Sequence, residues 1–229
     1  MSNLVAVLTG DLIGSTKADL GRVERSMTIL AQAAEFIERE TKNRSTRFSR
    51  SYGDGWQMYL DHPGDSLWIA VYLNALLKAD PHSLPTRIAI GIGEVESLGA
   101  TGLAGARGSA FTSSGRTLVA MQPGQTLALE GDPTDDMQRV AVAFIEERMS
   151  GWSREQAEVM KLKLVFMEPN LDEITTHLVR RLDLTQGEIA SQFEITRQAV
   201  GARLQAAGYK VINRACYVFR ECFEPKEAP

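Results

Sequence analysis

The sequence predicts an α+β domain over residues 1–131 followed by an all-α domain over residues 132–229. Three observations carry that division. Up to Glu130, apolar β-branched runs such as LVAVLT and TRIAIGI alternate with stretches of helical periodicity. Asp132-Pro133 then breaks the chain, and the residues beyond it read as helix after helix. Finally, Thr185 and Thr196 open two closely spaced helix starts, the mark of a small helical module.

The first strand is Leu4–Thr9, apolar and of buried-strand length, running into Gly10, Asp11, Leu12, Ile13, Gly14, Ser15 and Thr16. A carboxylate at a strand end beside a Gly/Ser/Thr turn suits a hard divalent cation and a phosphate group. Asp11 supplies the oxygen ligand in that reading; in the alternative it caps the turn. Arg22–Thr41 is an amphipathic helix through Val23, Met27, Leu30, Ala34 and Ile37. Thr46–Tyr52 and Trp56–Leu60 form a hairpin through Gly53-Asp54-Gly55. If that hairpin lies beside the first strand, Asp54 and Asp11 meet; the Asp-Gly pair also has a purely conformational explanation.

Ser66–Ala79 is the next helix, and Thr86–Ile92 returns as a buried strand whose Gly91 and neighbouring Gly93 allow backbones to approach closely. Gly99–Gly108 is a Gly/Ala-rich stretch expected to be a mobile loop. Ser109–Met121 is a helix with Thr112 and Arg116 on one face, and Gln125–Glu130 a last strand. Met137–Met149 and Arg154–Phe166 are helical, Pro169 ends the second, and Asp172–Arg181 gives one more helix.

Thr185 with Glu188 makes a capping box, and the helix it opens buries Ile189, Ala190 and Phe193. After a turn at Glu194 and Ile195, Thr196 caps a second helix whose Val200 and Leu204 face inward. This is the helix-turn-helix layout that places its second helix in the DNA major groove; an ordinary helical hairpin is the alternative. Thr196, Arg197, Gln198 and Gln205 lie off the inward stripe, where Arg suits guanine and Gln adenine. Arg203, Lys210 and Arg214 suit phosphates. Between Arg180 and Arg220 seven basic residues face three acidic ones, a local charge of +4 in a chain of −4. Val211-Ile212 and Cys216–Phe219 are expected to pair as a wing, and the tail EPKEAP to be disordered.

At 229 residues, 44% hydrophobic and 24% charged, the chain is long enough for a sizeable core plus a module. No apolar run approaches membrane length and the start lacks a basic leader, so no membrane partner and a cytoplasmic location are expected. Cys216 and Cys222 are expected to be reduced, partly buried thiols, and no His/Cys spacing suggests zinc.

The order strand-Asp, helix, strand-GD-strand, helix, strand, helix-with-Arg resembles the class III nucleotidyl cyclase catalytic domain, over roughly residues 4–130. TGDLIGS, RSYGDGWQ, IAIGIGE, GSAF and WSREQ with a helix-turn-helix are similar, more narrowly, to the SatD family. The resemblance implies a ferredoxin-like core and a metal set of Asp11, Leu12 and Asp54 for Mg²⁺ or Mn²⁺. It implies a nucleotide or phosphate ligand at Gly14, Ser15, Thr16 and Arg50, catalytic roles for Thr112 and Arg116, and a homodimer that shares its sites between subunits. Two departures stand out. Arg50 occupies the place of the purine-reading Lys, and Ala104-Gly105-Ala106-Arg107 holds no Asp. Three readings are open: a DNA-binding regulator with a nucleotide- or metal-sensing domain, an active nucleotidyl cyclase, or a dimerisation platform with a vestigial site.

Overall fold

The computed structural model describes residues 4–41, 44–51, 53–99, 102–164 and 184–224. The expected break at Pro169, the helix at 172–181, the basic pair at 180–181 and the tail beyond Glu224 lie outside them. Among the described residues the chain is a mixed α+β fold with five strands and eight helices. The strands are β1 (Leu4–Leu12), β2 (Thr46–Arg50), β3 (Gly55–Leu60), β4 (Thr86–Glu94) and β5 (Leu127–Glu130).

The sheet runs β2-β3-β1-β4-β5. Its first three pairings are antiparallel and β5 joins β4 in parallel. β1 is central, as a run of residues buried on both faces must be. Alternation along it divides the core: Ala6, Leu8 and Leu12 enter the larger cluster, Val5 and Val7 the smaller one on the opposite face.

The larger cluster is covered by α1 (Leu20–Glu40) and α2 (Ser66–Ala79). α1 buries the stripe the periodicity predicts, Val23, Met27, Leu30, Ala34 and Ile37, and Asp19 caps it by accepting from Arg22 N. Each large apolar side chain on that stripe contributes about 1.5–3 kcal/mol relative to exposure. On the opposite face lies α3 (Ser109–Ala120), pressed so closely that a Cβ on Gly91 would stand 2.3 Å from Ala110 O. The glycines of TRIAIGIGE are the sequence's provision for that contact.

The helical half comprises α4 (Asp136–Ser150), α5 (Arg154–Lys163), α6 (Gln186–Gln192), α7 (Arg197–Ala207) and α8 (Tyr209–Glu221). Asp135, Ser153 and Thr185 each form a full capping box, with Gln138, Gln156 and Glu188 respectively. α5 packs on α2. One hydrophobic cluster therefore runs without interruption from Ala6 in β1 to Phe219 in α8.

The expected wing is not there. Val211-Ile212 and Cys216–Phe219 belong to α8, because Ile212, Cys216 and Phe219 recur at helical spacing and bury one face while Val211, Tyr217 and Val218 stay exposed. Gly208, at φ 79, turns the chain from α7 into α8 without a loop. Both cysteines are free; Cys216 is buried, which pushes its thiol up to about 12, but Cys222 is exposed rather than partly buried. Glu224, first residue of the tail, is held by Arg220 at 3.4 Å and His62 at 3.3 Å. None of the helices is long and apolar enough to cross a membrane among the described residues.

Candidate functional site

Asp11 sits near the end of β1 on the α3 side of the sheet, in register with Gly55 of β3 and Arg87 of β4. The hairpin does lie beside β1, and Leu12 N donates to Asp54 O at 3.3 Å. The two aspartates therefore arrive at the same end of the sheet. On the other side of Asp11, away from the hairpin, lies Arg87 of β4. Its Nε donates to Asp11 Oδ1 at 2.9 Å and its Nη2 to Asp11 Oδ2, so both carboxylate oxygens are taken. The accepting carboxylate of Asp11 raises the Arg87 pKa above its ordinary value, and the charge of Asp54 adds to the effect. Asp54 also accepts a hydrogen bond from Ser15 Oγ.

This arrangement tests the expected cation site. Asp11 and Asp54 are the hard oxygen donors that Mg²⁺ or Mn²⁺ requires, but Asp11 is already paired with a guanidinium and Asp54 accepts from Ser15. Among the described residues no group of three or more His, Cys, Asp or Glu side chains is placed to hold a metal ion. As they stand, these residues do not fit a bound divalent cation. Leu12 faces the larger core at 3% exposure, leaving only its backbone toward the site.

Arg87 is not among the residues the sequence motifs single out, yet a signal exists: it is the lone charge at the start of an otherwise apolar strand. The rest of the strip on that face is polar and mutually bonded. Thr9 Oγ1 and Ser114 Oγ of α3 lie 2.8 Å apart, and Gln57 Nε2 donates to Thr9 Oγ1 at 3.3 Å.

The other expected site residues are distributed around the domain. Gly14, Ser15 and Thr16 form the turn after β1, with Ser15–Lys17 a 3-10 turn and Ser15 alone among the three bonded to an aspartate. Arg50 faces the opposite side of the sheet, where its Nη1 meets Glu24 of α1 at 2.8 Å and its Nε and Nη2 reach Gly53 O. Thr112 donates its hydroxyl to Gly108 O. Thr112 and Arg116 line an open cleft of about 800 Å³ with Arg107, Ser113, Glu130 and Asp132. Asp11, Asp54 and Arg87 do not line that cleft.

In the helical half, α6 and α7 pack through Ile189, Ala190, Val200 and Leu204. Between them Glu194 takes φ 53, a left-handed conformation that lets two helices meet after a four-residue turn. Thr196 caps α7 by accepting from Ala199 N. Arg197, Gln198, Gln205 and Lys210 are exposed. Arg203 is half-buried and within 4.0 Å of Glu158. Arg220 is buried against Asp65, so it adds nothing to the surface charge counted from the sequence.

No protein-family model matches the chain, and no curated protein matches it. Among solved structures it is similar to the guanylyl cyclase Cya2, at 16% identity and a TM-score of 0.39, over 56% of this chain and 77% of that one. It is similar also to the catalytic core of a rhodopsin-guanylyl cyclase with converted specificity in complex with ATPαS, at 12% identity and a TM-score of 0.39, over the same shares of 56% and 77%. At that level of likeness the chemistry of this chain rests on its own residues.

Proposed function

We propose that the chain is a DNA-binding regulator whose N-terminal domain, cyclase-like and ferredoxin-like in its β2-β3-β1-β4 strand order, responds to a nucleotide or phosphate ligand. The observation that carries the reading is the exposed face of α7. Arg197, Gln198 and Gln205 are exposed on a capped helix that buries Val200, Leu204 and Ala207, with Arg197 and Gln198 in its first turn. Side chains at that end of a helix are the ones that reach base edges in a major groove. Lys210 at the start of α8 is a phosphate contact in this account, and Arg203, shared with Glu158, a weaker one.

The ligand-responsive element is the Asp11–Arg87 pair. A phosphate group competes with Asp11 for the guanidinium, and a divalent cation competes with Arg87 for the carboxylate. Either shifts the domain only by the difference in its affinity for the closed and opened pair. A homodimer fits both the need to grip two half-sites and the resemblance to the cyclases.

The placement of Asp11 and Asp54 at the same end of the sheet supports a second reading, an active nucleotidyl cyclase; the pairing of Asp11 with Arg87 counts against it. Incubation with Mn²⁺ and each nucleoside triphosphate, reading pyrophosphate, separates the two. Release from any of the four makes the chain an enzyme. The DNA-binding reading is tested by selecting sequences from a random duplex pool; enrichment of a common motif is the expected result, and an unenriched pool overturns it.

A further inference from the structure

The C-terminal end of α7 is tied to the α+β domain through two hydrogen-bonded joints, one at Lys78 and a buried one at Trp152. A helix leaves its last carbonyls without internal partners. At the end of α4 two of these, Met149 O and Ser150 O, accept from Lys78 Nζ of α2 at 3.4 and 2.8 Å. Burial pushes the Lys78 pKa down, as expected of an ammonium withdrawn from water to cap a helix end. Two residues further, Trp152 is 4% exposed, and its indole Nε1 donates to Ala207 O at 2.9 Å.

Ala207 is the last residue of α7. The Gly208 amide already serves Gln205 O and Leu204 O, so Trp152 supplies a partner from outside the helix for the Ala207 carbonyl. The side chain of Arg148 closes the same joint, for a Cβ on Gly208 would lie 2.8 Å from its Nε. Lys78 belongs to α2, which packs beneath the sheet, so the route runs from the α+β core to the end of α7.

We propose that Trp152 is the positioning residue for DNA recognition, fixing the angle of α7 against the α+β domain, with Lys78 as its anchor. The proposal rests on the reading of α7 as the DNA-contacting helix. α7 spans about 16 Å, at about 1.5 Å per residue. A pivot at its C-terminal end therefore displaces Arg197 and Gln198, whose paired hydrogen bonds to base edges tolerate little misplacement. Phosphate contacts depend less on that angle.

The test uses the full chain as Trp152→Phe, which keeps the aromatic packing and removes the N–H, and as Lys78→Met, which keeps the aliphatic stem. Two readouts are taken: amide exchange along 204–208, and affinity for the selected duplex against a random one. The expected result for Trp152→Phe is faster exchange at 204–208 with unchanged exchange in the sheet. With it comes a loss of about tenfold in affinity for the selected duplex, as one carbonyl is left without a partner, while random-duplex affinity stays within about twofold. Lys78→Met moves both readouts in the same direction and stands in if Trp152→Phe does not fold. Wild-type exchange and selectivity in either folded variant, or equal loss on both duplexes, overturns the positioning role. A wild-type chain with no preference among duplexes sinks the DNA reading instead, while the exchange data still decide the tether.

Discussion

Arg87 of β4 lies directly across from Asp11 of β1 and occupies both of its carboxylate oxygens. The pair is about one third exposed, with side-chain exposures of 33% and 27%. It is therefore worth on the order of 1 kcal/mol.

Replacing Arg87 with Met should uncover Asp11. The variant is expected to lose about 1 kcal/mol of stability and to gain a melting-temperature rise on adding Mn²⁺ that exceeds the wild-type response. Asp11→Asn in the same background should remove that rise. Equal Mn²⁺ responses in the wild type and the Arg87→Met variant would show that Arg87 is not what keeps a cation from Asp11.

Asp65 gives a prediction about acid stability. Burial pushes its carboxyl up, but the His62 imidazole 3.4 Å away and the charges of Arg220 and Arg44 outweigh this and leave it below the ordinary carboxylate value. A depressed folded-state value means stability that is present above about pH 4 and lost as the pH falls through the folded value. Asp65→Asn should cost about 3 kcal/mol at neutral pH, because two arginines lose their buried partner. It should also flatten the fall in melting temperature below about pH 4. An unchanged acid limb would remove Asp65 from the account.

Glu194 is the one non-glycine residue at positive φ among the described residues. Left-handed backbone costs such a residue about 1 kcal/mol, part of which glycine returns through its freer unfolded chain. Glu194→Gly should therefore be neutral or stabilising by up to about 1 kcal/mol in urea unfolding. A loss of about 1 kcal/mol or more would mean that the side chain, not the backbone, holds the turn.

Gly91→Ala should separate α3 from the sheet. The new Cβ would stand 2.3 Å from Ala110 O and 2.4 Å from Ser114 N, both backbone atoms that cannot rotate away. A loss of about 3 kcal/mol is expected, with the aromatic signals of Phe111 shifted; a wild-type melting temperature would contradict the close packing.

Much of the fold is legible in the residues. Gly91 and Gly93 announce a close approach, Thr185 and Thr196 announce two capped helices, and Gly53-Asp54-Gly55 announces the hairpin. The alternation of β1 decides which side chains face each layer, and so puts Asp11 on the α3 side. The wing is misjudged because Val211, Ile212 and Val218 have strand propensity, and only the Ile212-Cys216-Phe219 spacing betrays the helix. Arg87 escapes a reading of the sequence because no local pattern says which residue of β4 lies opposite Asp11. That register is a tertiary fact. Arg220 counts as surface charge for the same reason, since Asp65 lies far away in the chain.

The central claim, that the α6–α7 unit reads DNA, is tested most directly by titrating wild type and Arg197→Ala with the duplex enriched from a random pool and with an unrelated duplex, across a salt series. The account predicts that Arg197→Ala loses preference for the enriched duplex by about 1–3 kcal/mol while keeping its salt slope. Equal affinities of the wild-type chain for both duplexes, or a variant that discriminates as well as the wild type, would contradict it.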